Sequence, residues 1–159
     1  MSSFRTTGPV ASALLLGVAV SLFATERPDR RSVADFDARG AANYLDARIT
    51  WWRGWQTAKR DHGTYCVSCH TAIPFALARP ALRSTLGETQ PSDGERQVLA
   101  DVVTRVRMWR DVEPFYPDQT VGLPKSSESR GTESVLNALI LARRDAATGS
   151  LTDDARQAF

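Results

Sequence analysis

The chain has little excess charge of either sign, no extended alternation of apolar and polar residues, and no long apolar run. Twenty lysines and arginines stand against eighteen aspartates and glutamates, so the net charge is only +2, and no block of like charge interrupts the 159 residues. This balance does not indicate nucleic-acid binding. The basic residues are nearly all arginine and are spread along the chain, and we interpret them as solvated helix surface.

Strand patterns are missing because apolar and polar residues nowhere alternate for long. Apolar residues recur instead three and four positions apart, which is the spacing of a helix that buries one face. The sequence therefore predicts an all-α fold with about four helices in one domain.

No apolar run is long enough to cross a bilayer as a helix. The longest, residues 10–23, has about 14 residues, against the roughly 20 that a membrane-spanning helix needs. Arg5 precedes this run and the small residue Ala24 follows it, so residues 1–24 predict a secretory signal peptide, with an uncleaved membrane anchor as the alternative. Residues 25–37 then form a linker, and residues 38–159 form the domain.

Cysteine is scarce too, and the only two, Cys66 and Cys69, lie together with His70 directly behind them. Cys-x-x-Cys-His is the spacing of covalent haem attachment. Each thiol adds across one vinyl group of the porphyrin, and the histidine binds the iron. A short disulfide and a thioredoxin-like thiol couple are the alternatives. A thiol couple needs no adjacent histidine, and no βαβ pattern surrounds this one.

The pentapeptide Cys66-Val67-Ser68-Cys69-His70 resembles the attachment site of the c-type cytochromes. That resemblance implies one covalently attached haem c, with thioethers at Cys66 and Cys69 and with His70 as the proximal iron ligand. It also implies one-electron transfer with a redox partner protein, in an exported, periplasmic or inner-membrane-anchored protein. The expected function is that of an electron carrier rather than an enzyme.

The first two predicted helices flank this motif. Helix one spans about residues 40–59 and places Trp52 and Trp55 in the core. Thr71 is the expected cap of a short second helix, which Pro80 bends or ends. The expected buried face of helix one is Leu45, Ile49, Trp52 and Trp55.

Two further helices and a short C-terminal segment follow. Ser92 and Glu95 form a capping box ahead of helix three, which Pro114 stops, and a loop with aromatic residues follows it. Helix four begins near Ser126 or Thr132 and runs to a stop at Gly149. The apolar stripe of helix three is Val98, Leu99, Val102, Val103, Val106 and Trp109, and the expected buried side of helix four is Leu139 and Ile140.

The C-terminal segment begins with Thr152 as a helix cap and reaches Phe159 after less than two turns. A helix this short is marginal by itself. We therefore expect the chain to be truncated, with a further helix covering this segment in a longer protein.

A second resemblance concerns the helix pairs. The stretches Ala41-Ala42-Asn43-Tyr44-Leu45 and 130–139 resemble the repeats of α/α-toroid proteins of the squalene-cyclase and prenyltransferase type. This implies a partial α/α-toroid-like array around the haem, to which an ordinary helical bundle is the alternative. The acidic cluster that such cyclases use for protonation is absent, so their catalysis is not implied.

The sixth iron ligand would decide what a haem does in this chain. Met108 and His62 are the only protein candidates beyond the initiator methionine and the motif, and water is the third. An open site would favour a haem-based sensor or a peroxidase-like protein, although no general-acid pattern for peroxide cleavage is assigned. A helical binding domain stapled by haem is a further alternative. Tyr65 and Phe75 are the expected haem neighbours.

Overall fold

The computed structural model describes residues 36–67, 70–114 and 125–159. Within these ranges Asp37–Phe159 form one unit that contains five α-helices and no β-strand. The all-α prediction is confirmed for this part of the chain, whereas the signal segment 1–24 and nearly all of the linker 25–37 lie outside it. The helices are α1 (Ala38–Gly54), α2 (Ala72–Thr85), α3 (Asp93–Arg107), α4 (Lys125–Asp145) and α5 (Asp153–Ala158).

None of the five helices combines the length and the hydropathy that crossing a bilayer requires.

The first helix ends five residues earlier than its periodicity predicts. Gly54 is its last residue, and Trp55 has an extended backbone conformation before two 3-10 turns at Gln56–Ala58 and Asp61–Gly63. Glycine favours a helix end because its backbone loses the most freedom in a helix. Trp55 is therefore displaced from the buried face of α1 and is 44% exposed, so its assignment to the core is wrong.

The second helix contains Pro80 without ending there. It begins after Thr71, whose side chain makes no capping hydrogen bond, and it continues for five residues beyond the proline. The prediction that Pro80 ends the helix is wrong, because α2 packs on α1, α3 and α4 and this packing outweighs the local cost of proline. Buried Arg79 adds a hydrogen bond to Asp46 of α1, from Nε to Oδ1 at 3.0 Å.

The third helix begins at the predicted capping box. The Glu95 amide donates to Ser92 Oγ at 3.3 Å, and the Ser92 amide donates to Glu95 Oε2 at 2.8 Å. The helix ends at Arg107, seven residues before Pro114, so the proline is not its stop. Two arginine side chains, Arg105 and Arg130, instead hold the carbonyl groups of residues 109, 112 and 113 in turns.

The core lies where α1, α2, α3 and α4 meet, and a glycine makes its closest contact possible. A Cβ atom at Gly94 would lie 2.8 Å from both Ile49 Cγ2 and Phe75 Cζ, so only glycine allows this approach of α1 and α2 to α3. The central buried side chains are Ile49, Cys66, Val67, Phe75, Val98, Val102, Val106, Ile140 and Leu141.

The fourth helix begins at Lys125, close to the predicted Ser126, but buries a different face from the one expected. Leu139 is 43% exposed, so its assignment to the buried side is wrong, while Ile140 is buried as expected. Two polar residues, Glu133 and Asn137, occupy the buried face instead. The spacing of apolar residues cannot predict such a buried face, because polar residues make up part of it.

The short helix α5 is capped as predicted, since Thr152 Oγ1 accepts from the Ala155 amide at 3.3 Å. It packs on α3 and α4. Asp145 at the end of α4 accepts from the Thr152 amide at 2.6 Å and from its hydroxyl at 2.9 Å. The hydrogen bond from Arg144, aided by those from Thr152, holds the pKa of the Asp145 carboxyl well below its ordinary value.

Candidate haem-attachment site

The Cys-x-x-Cys-His motif lies where the chain enters α2, and its two ends have different surroundings. Cys66 and Val67 are buried in the core, whereas the side chain of His70 is exposed just before Thr71 and the helix. Cys69 lies outside the described residues, so its role stays a prediction. A thiol held in the interior and an imidazole open to solvent are thus separated by three residues.

A narrow antiparallel loop leads into the motif. The Cys66 amide donates to the Ala58 carbonyl at 2.8 Å, and the Arg60 amide donates to the Thr64 carbonyl at 2.8 Å. His62 lies at the tip in the left-handed conformation, with φ 51°, and its side chain is exposed. These bonds fix the backbone on the N-terminal side of the motif.

The carbonyl of Cys66 is held as firmly as its amide. Trp52 of α1 donates from Nε1 to this carbonyl at 2.9 Å, so both backbone polar groups of Cys66 are bonded. The void beside Cys66, Val98 and Asp101 measures only about 10 Å³, which is at the lower limit for one water molecule. The packed side of Cys66 therefore has no room for a porphyrin.

Asp101 lines this void and forms an ion pair with Arg53 of α1. Burial raises the pKa of the Asp101 carboxyl, although the charge and hydrogen bond of Arg53 oppose the rise. The guanidinium carbon of Arg53 also lies 4.4 Å from the ring centroid of Tyr65. Tyr65 is thus a half-buried partner of an arginine, while Phe75, the other expected haem neighbour, is a core residue.

A buried ionic group forms hydrogen bonds with the loop that precedes Cys66. We call it the Arg105 cluster: Arg105, Glu133, Asp61 and Thr64. Arg105 is fully buried and donates from Nε to Glu133 Oε1 at 2.5 Å. Its Nη1 donates to Thr64 Oγ1 at 2.9 Å and to Asp61 Oδ1 at 3.2 Å. The cluster therefore joins α3 and α4 to the loop that precedes Cys66.

The interpretation of the arginines as solvated surface is wrong for two of them, Arg79 and Arg105. One signal for Arg105 was present in the sequence. It lies three residues after Val102 and one before Val106, and so falls on the apolar stripe of α3. Its partner Glu133 has no such signal, because 28 residues separate the two.

Three tryptophans form a group next to the motif, which we call the tryptophan cluster: Trp51, Trp52 and Trp55. The ring centroids of Trp51 and Trp55 are 5.7 Å apart and nearly parallel, and those of Trp52 and Trp55 are 5.3 Å apart. Trp51 is 50% exposed. The cluster thus extends from the surface to the hydrogen bond between Trp52 and Cys66.

The candidate sixth ligand Met108 lies at the far end of α3. It is the C-cap residue, seven positions beyond Asp101, which borders the void at Cys66. Seven residues of α-helix advance about 10 Å. In the part of the chain that the structure describes, no group of three or more histidine, cysteine, aspartate or glutamate side chains is arranged to hold a metal ion.

Comparison with known proteins adds no relative: no family model, curated protein or solved structure matches the chain.

Proposed function

We propose that the protein binds one haem c covalently through Cys66 and Cys69, with His70 as an axial iron ligand, and carries single electrons outside the cytoplasm. The observation that carries this proposal is the Cys-x-x-Cys-His sequence at the entry to α2, with an exposed histidine. Residues 1–24 would direct export or anchor the chain in the inner membrane. The helices would surround the haem as a bundle or as a partial toroid-like array.

The donor set fits this group. Each cysteine S–H adds across one vinyl C=C, so that sulfur bonds to one carbon and hydrogen to the other, and the addition consumes no oxidant. His70 supplies a neutral imidazole nitrogen to the iron. When bound, the haem supplies an iron that changes reversibly between the ferric and ferrous states.

The tight packing at Cys66 limits where a porphyrin fits. Because the inner side of Cys66 holds only about 10 Å³, this side of the thiol has no room for the macrocycle. The hydrogen bonds from Cys66 to Ala58 and from Trp52 to Cys66, with the Arg105 cluster below, hold one attachment point in place. A fixed attachment point favours electron transfer, since little of the protein then rearranges.

The tryptophan cluster offers a surface for the redox partner. Trp51 and Trp55 are exposed, and Trp52 connects them to the backbone of Cys66. The Arg48 guanidinium carbon lies 4.5 Å from the Trp51 ring centroid and adds positive charge at the same place. An aromatic patch with a cation beside it fits an acidic partner.

An open distal site is the second candidate, and the position of Met108 favours it. Met108 lies seven residues, or about 10 Å of helix axis, beyond Asp101, the nearer of the two α3 residues that border the void at Cys66, so a haem bound close to Cys66 would lack methionine ligation. A five-coordinate or water-bound iron would bind small ligands such as carbon monoxide, oxygen or nitric oxide. The protein would then be a sensor or a peroxidase-like enzyme.

Visible spectroscopy of the protein expressed with c-type haem maturation tests the proposal. A pyridine haemochrome assay and the intact mass should show one covalent haem in the natural chain. Cys66→Ala and Cys69→Ala should each lose one thioether, and His70→Ala should perturb the iron spectrum. His62→Ala tests whether His62, the only other histidine and the other protein candidate for the sixth ligand besides Met108, also binds the iron.

The outcomes separate the candidates. A low-spin spectrum that is indifferent to carbon monoxide supports electron transfer, and loss of the ferric sulfur-to-iron band in Met108→Ala identifies methionine as the sixth ligand. A high-spin, carbon-monoxide-reactive haem supports the sensor or enzyme. A colourless protein without covalent haem after maturation overturns both.

A further inference from the structure

A groove of about 210 Å³ lies between α2, α3 and α4. Val98 is the one residue that lines both this groove and the void at Cys66, so the two are neighbours but distinct. The volume corresponds to about seven water molecules and is below the roughly 300–1,000 Å³ that small-molecule sites usually have. The groove therefore suits a slender ligand.

The walls of the groove are mainly apolar. Phe75, Val98 and Ile140 belong to the buried core. Ala76 and Leu99 are only half-buried and present apolar surface to the groove. An apolar ligand that covers such a surface removes it from water, which favours binding in proportion to the area buried.

The groove follows the axis of α2. Its lining residues on this helix extend from Ala76 through Pro80 to Arg83, and these seven steps of helix advance about 10 Å. A volume of about 210 Å³ spread over such a length makes the groove narrow. An extended alkyl chain has this shape, whereas a fused ring system is wider.

The one carboxylate among the lining residues, Glu95, is already neutralised. Its Oε1 accepts from Arg83 Nε at 3.1 Å, and its Oε2 accepts from the Ser92 amide at 2.8 Å. Only 8% of the Glu95 side chain is exposed. Glu95 and Arg83 therefore cancel each other, and the charge at the rim depends on the remaining arginines.

Three further arginines line the groove, and one of them has no carboxylate partner. Arg96 forms an ion pair with Asp93, and Arg144 donates from Nε to Asp145 Oδ1 at 2.5 Å. Arg143 is exposed and forms no ion pair with any residue that the structure describes. The rim of an apolar groove thus carries an uncompensated positive charge at Arg143.

We propose that this groove binds a medium-chain fatty acid anion, with the alkyl chain along Ala76 and Leu99 and the carboxylate at Arg143. A guanidinium and a carboxylate form charge-assisted hydrogen bonds, often two in parallel. The charge at the rim selects an anion over a cation, and the narrow apolar walls select a straight chain. This site is distinct from haem attachment and adds a function to the electron carrier.

Titration calorimetry on the full chain, matured with haem, tests the proposal with butyrate, octanoate and decanoate below their micelle concentrations. Each added CH₂ group that enters the groove should raise the affinity about fourfold. Decanoate should therefore bind much more tightly than butyrate. Decyltrimethylammonium, which has the same chain length and the opposite charge, should bind at least tenfold more weakly than decanoate.

Carbon-proton spectra of the same samples report on the place of binding. The chain has three isoleucines, so their methyl signals are few. Decanoate should shift the methyl signals of Ile140, which lines the groove. The signals of Ile49, which borders the void at Cys66 instead, should stay in place.

Two charge reversals provide matched variants. Arg143→Glu should weaken decanoate binding about tenfold or more and should strengthen the binding of decyltrimethylammonium. Arg110→Glu makes the same change in net charge at an exposed arginine that does not line the groove, and it should leave both affinities unchanged. Both arginines are exposed, and an unchanged Tm shows that each variant is folded.

Four results would overturn the proposal. One is no binding of decanoate at millimolar concentration. Another is butyrate binding as tightly as decanoate, which would indicate an anion site without a chain. The third is decyltrimethylammonium binding as tightly as decanoate, which would indicate unselective apolar contact. The last is equal weakening by Arg143→Glu and Arg110→Glu, which would show an effect of net charge alone.

Discussion

Two polar residues on the same face of α4 show opposite ways of burying a polar side chain. Glu133 is fully buried and accepts two hydrogen bonds from Arg105. Asn137, one helical turn further on, is equally buried but has no partner among the described residues. The first is part of the structure that supports the loop before Cys66, and the second borders a cavity.

The difference shows how charge decides whether a buried polar group must be paired. A buried charge is tolerated only when it is paired and hydrogen-bonded, and the Arg105 cluster meets both conditions. A neutral amide costs less to leave unpaired. We therefore expect replacement of Arg105 to destabilise the protein and replacement of Asn137 by an apolar residue to stabilise it.

Removing the paired cation of Arg105 should have the largest effect on the unfolding free energy. Arg105→Met leaves Glu133 buried and unpaired, and we expect a loss of about 3–5 kcal/mol of unfolding free energy. Urea unfolding measures it. The exposed Arg96→Met on the same helix is the control and should cost under about 1 kcal/mol. The double variant Arg105→Met/Glu133→Leu should recover much of the loss; an equal or greater loss would contradict the pairing argument.

Asp145 is a buried carboxylate whose hydrogen bonds as a charged group are lost when acid protonates it. Its pKa is lower in the folded than in the unfolded chain because Arg144 and Thr152 bond the charged form. Its stabilising contribution is therefore complete above the ordinary aspartate pKa of about 4 and is lost as the pH falls below it. Thermal melts between neutral and acid pH measure this. Asp145→Asn should remove that part of the pH dependence, and an unaltered profile would show that the carboxyl is not responsible.

Replacing the unpartnered amide should increase the unfolding free energy, whereas replacing Arg105 should decrease it. Asn137→Leu keeps the branching and the number of side-chain heavy atoms and removes two unpaired polar atoms, so we expect a gain of about 1 kcal/mol in the unfolding free energy. Urea unfolding without ligand gives the value. A loss of stability would mean that ordered water satisfies the amide, and Asn137 would then resemble Glu133 rather than differ from it.

The smallest effect is expected at an exposed ion pair. Arg156 Nε and Asp153 Oδ1 of α5 are 3.4 Å apart, and both side chains are largely in solvent. Arg156→Gln should change the unfolding free energy by less than about 0.5 kcal/mol. A cost comparable with that of Arg105→Met would mean that burial does not decide the energy of these pairs.

Much of the helical structure could be predicted from local signals. The capping box at Ser92 and Glu95 and the cap at Thr152 depend on residues three apart, and both are present. The errors at Pro80, Trp55 and Leu139 have two causes. At Pro80 and Leu139 packing between helices overrides a local rule, whereas Trp55 lies where the end of α1 turns the side chain away from the core.

The candidate site likewise combines residues that local spacing predicts with contacts between distant positions that it does not predict. The motif residues Cys66, Cys69 and His70 could be selected from spacing alone, because attachment chemistry acts over five consecutive residues. The support for Cys66 from Trp52, and for the preceding loop from Arg105, joins positions 14 and 41 residues apart. No local pattern specifies such partners.

The sequence by itself determined the helical class, two capped helix starts and the Cys-x-x-Cys-His motif, since each depends on residues close together along the chain. The tertiary structure alone decided that Arg105 pairs with Glu133, that Asn137 borders a cavity unpaired, and that three tryptophans connect the surface to Cys66. The physical reason is that burial and pairing depend on which distant segments meet, and packing of α1 to α5 sets those meetings.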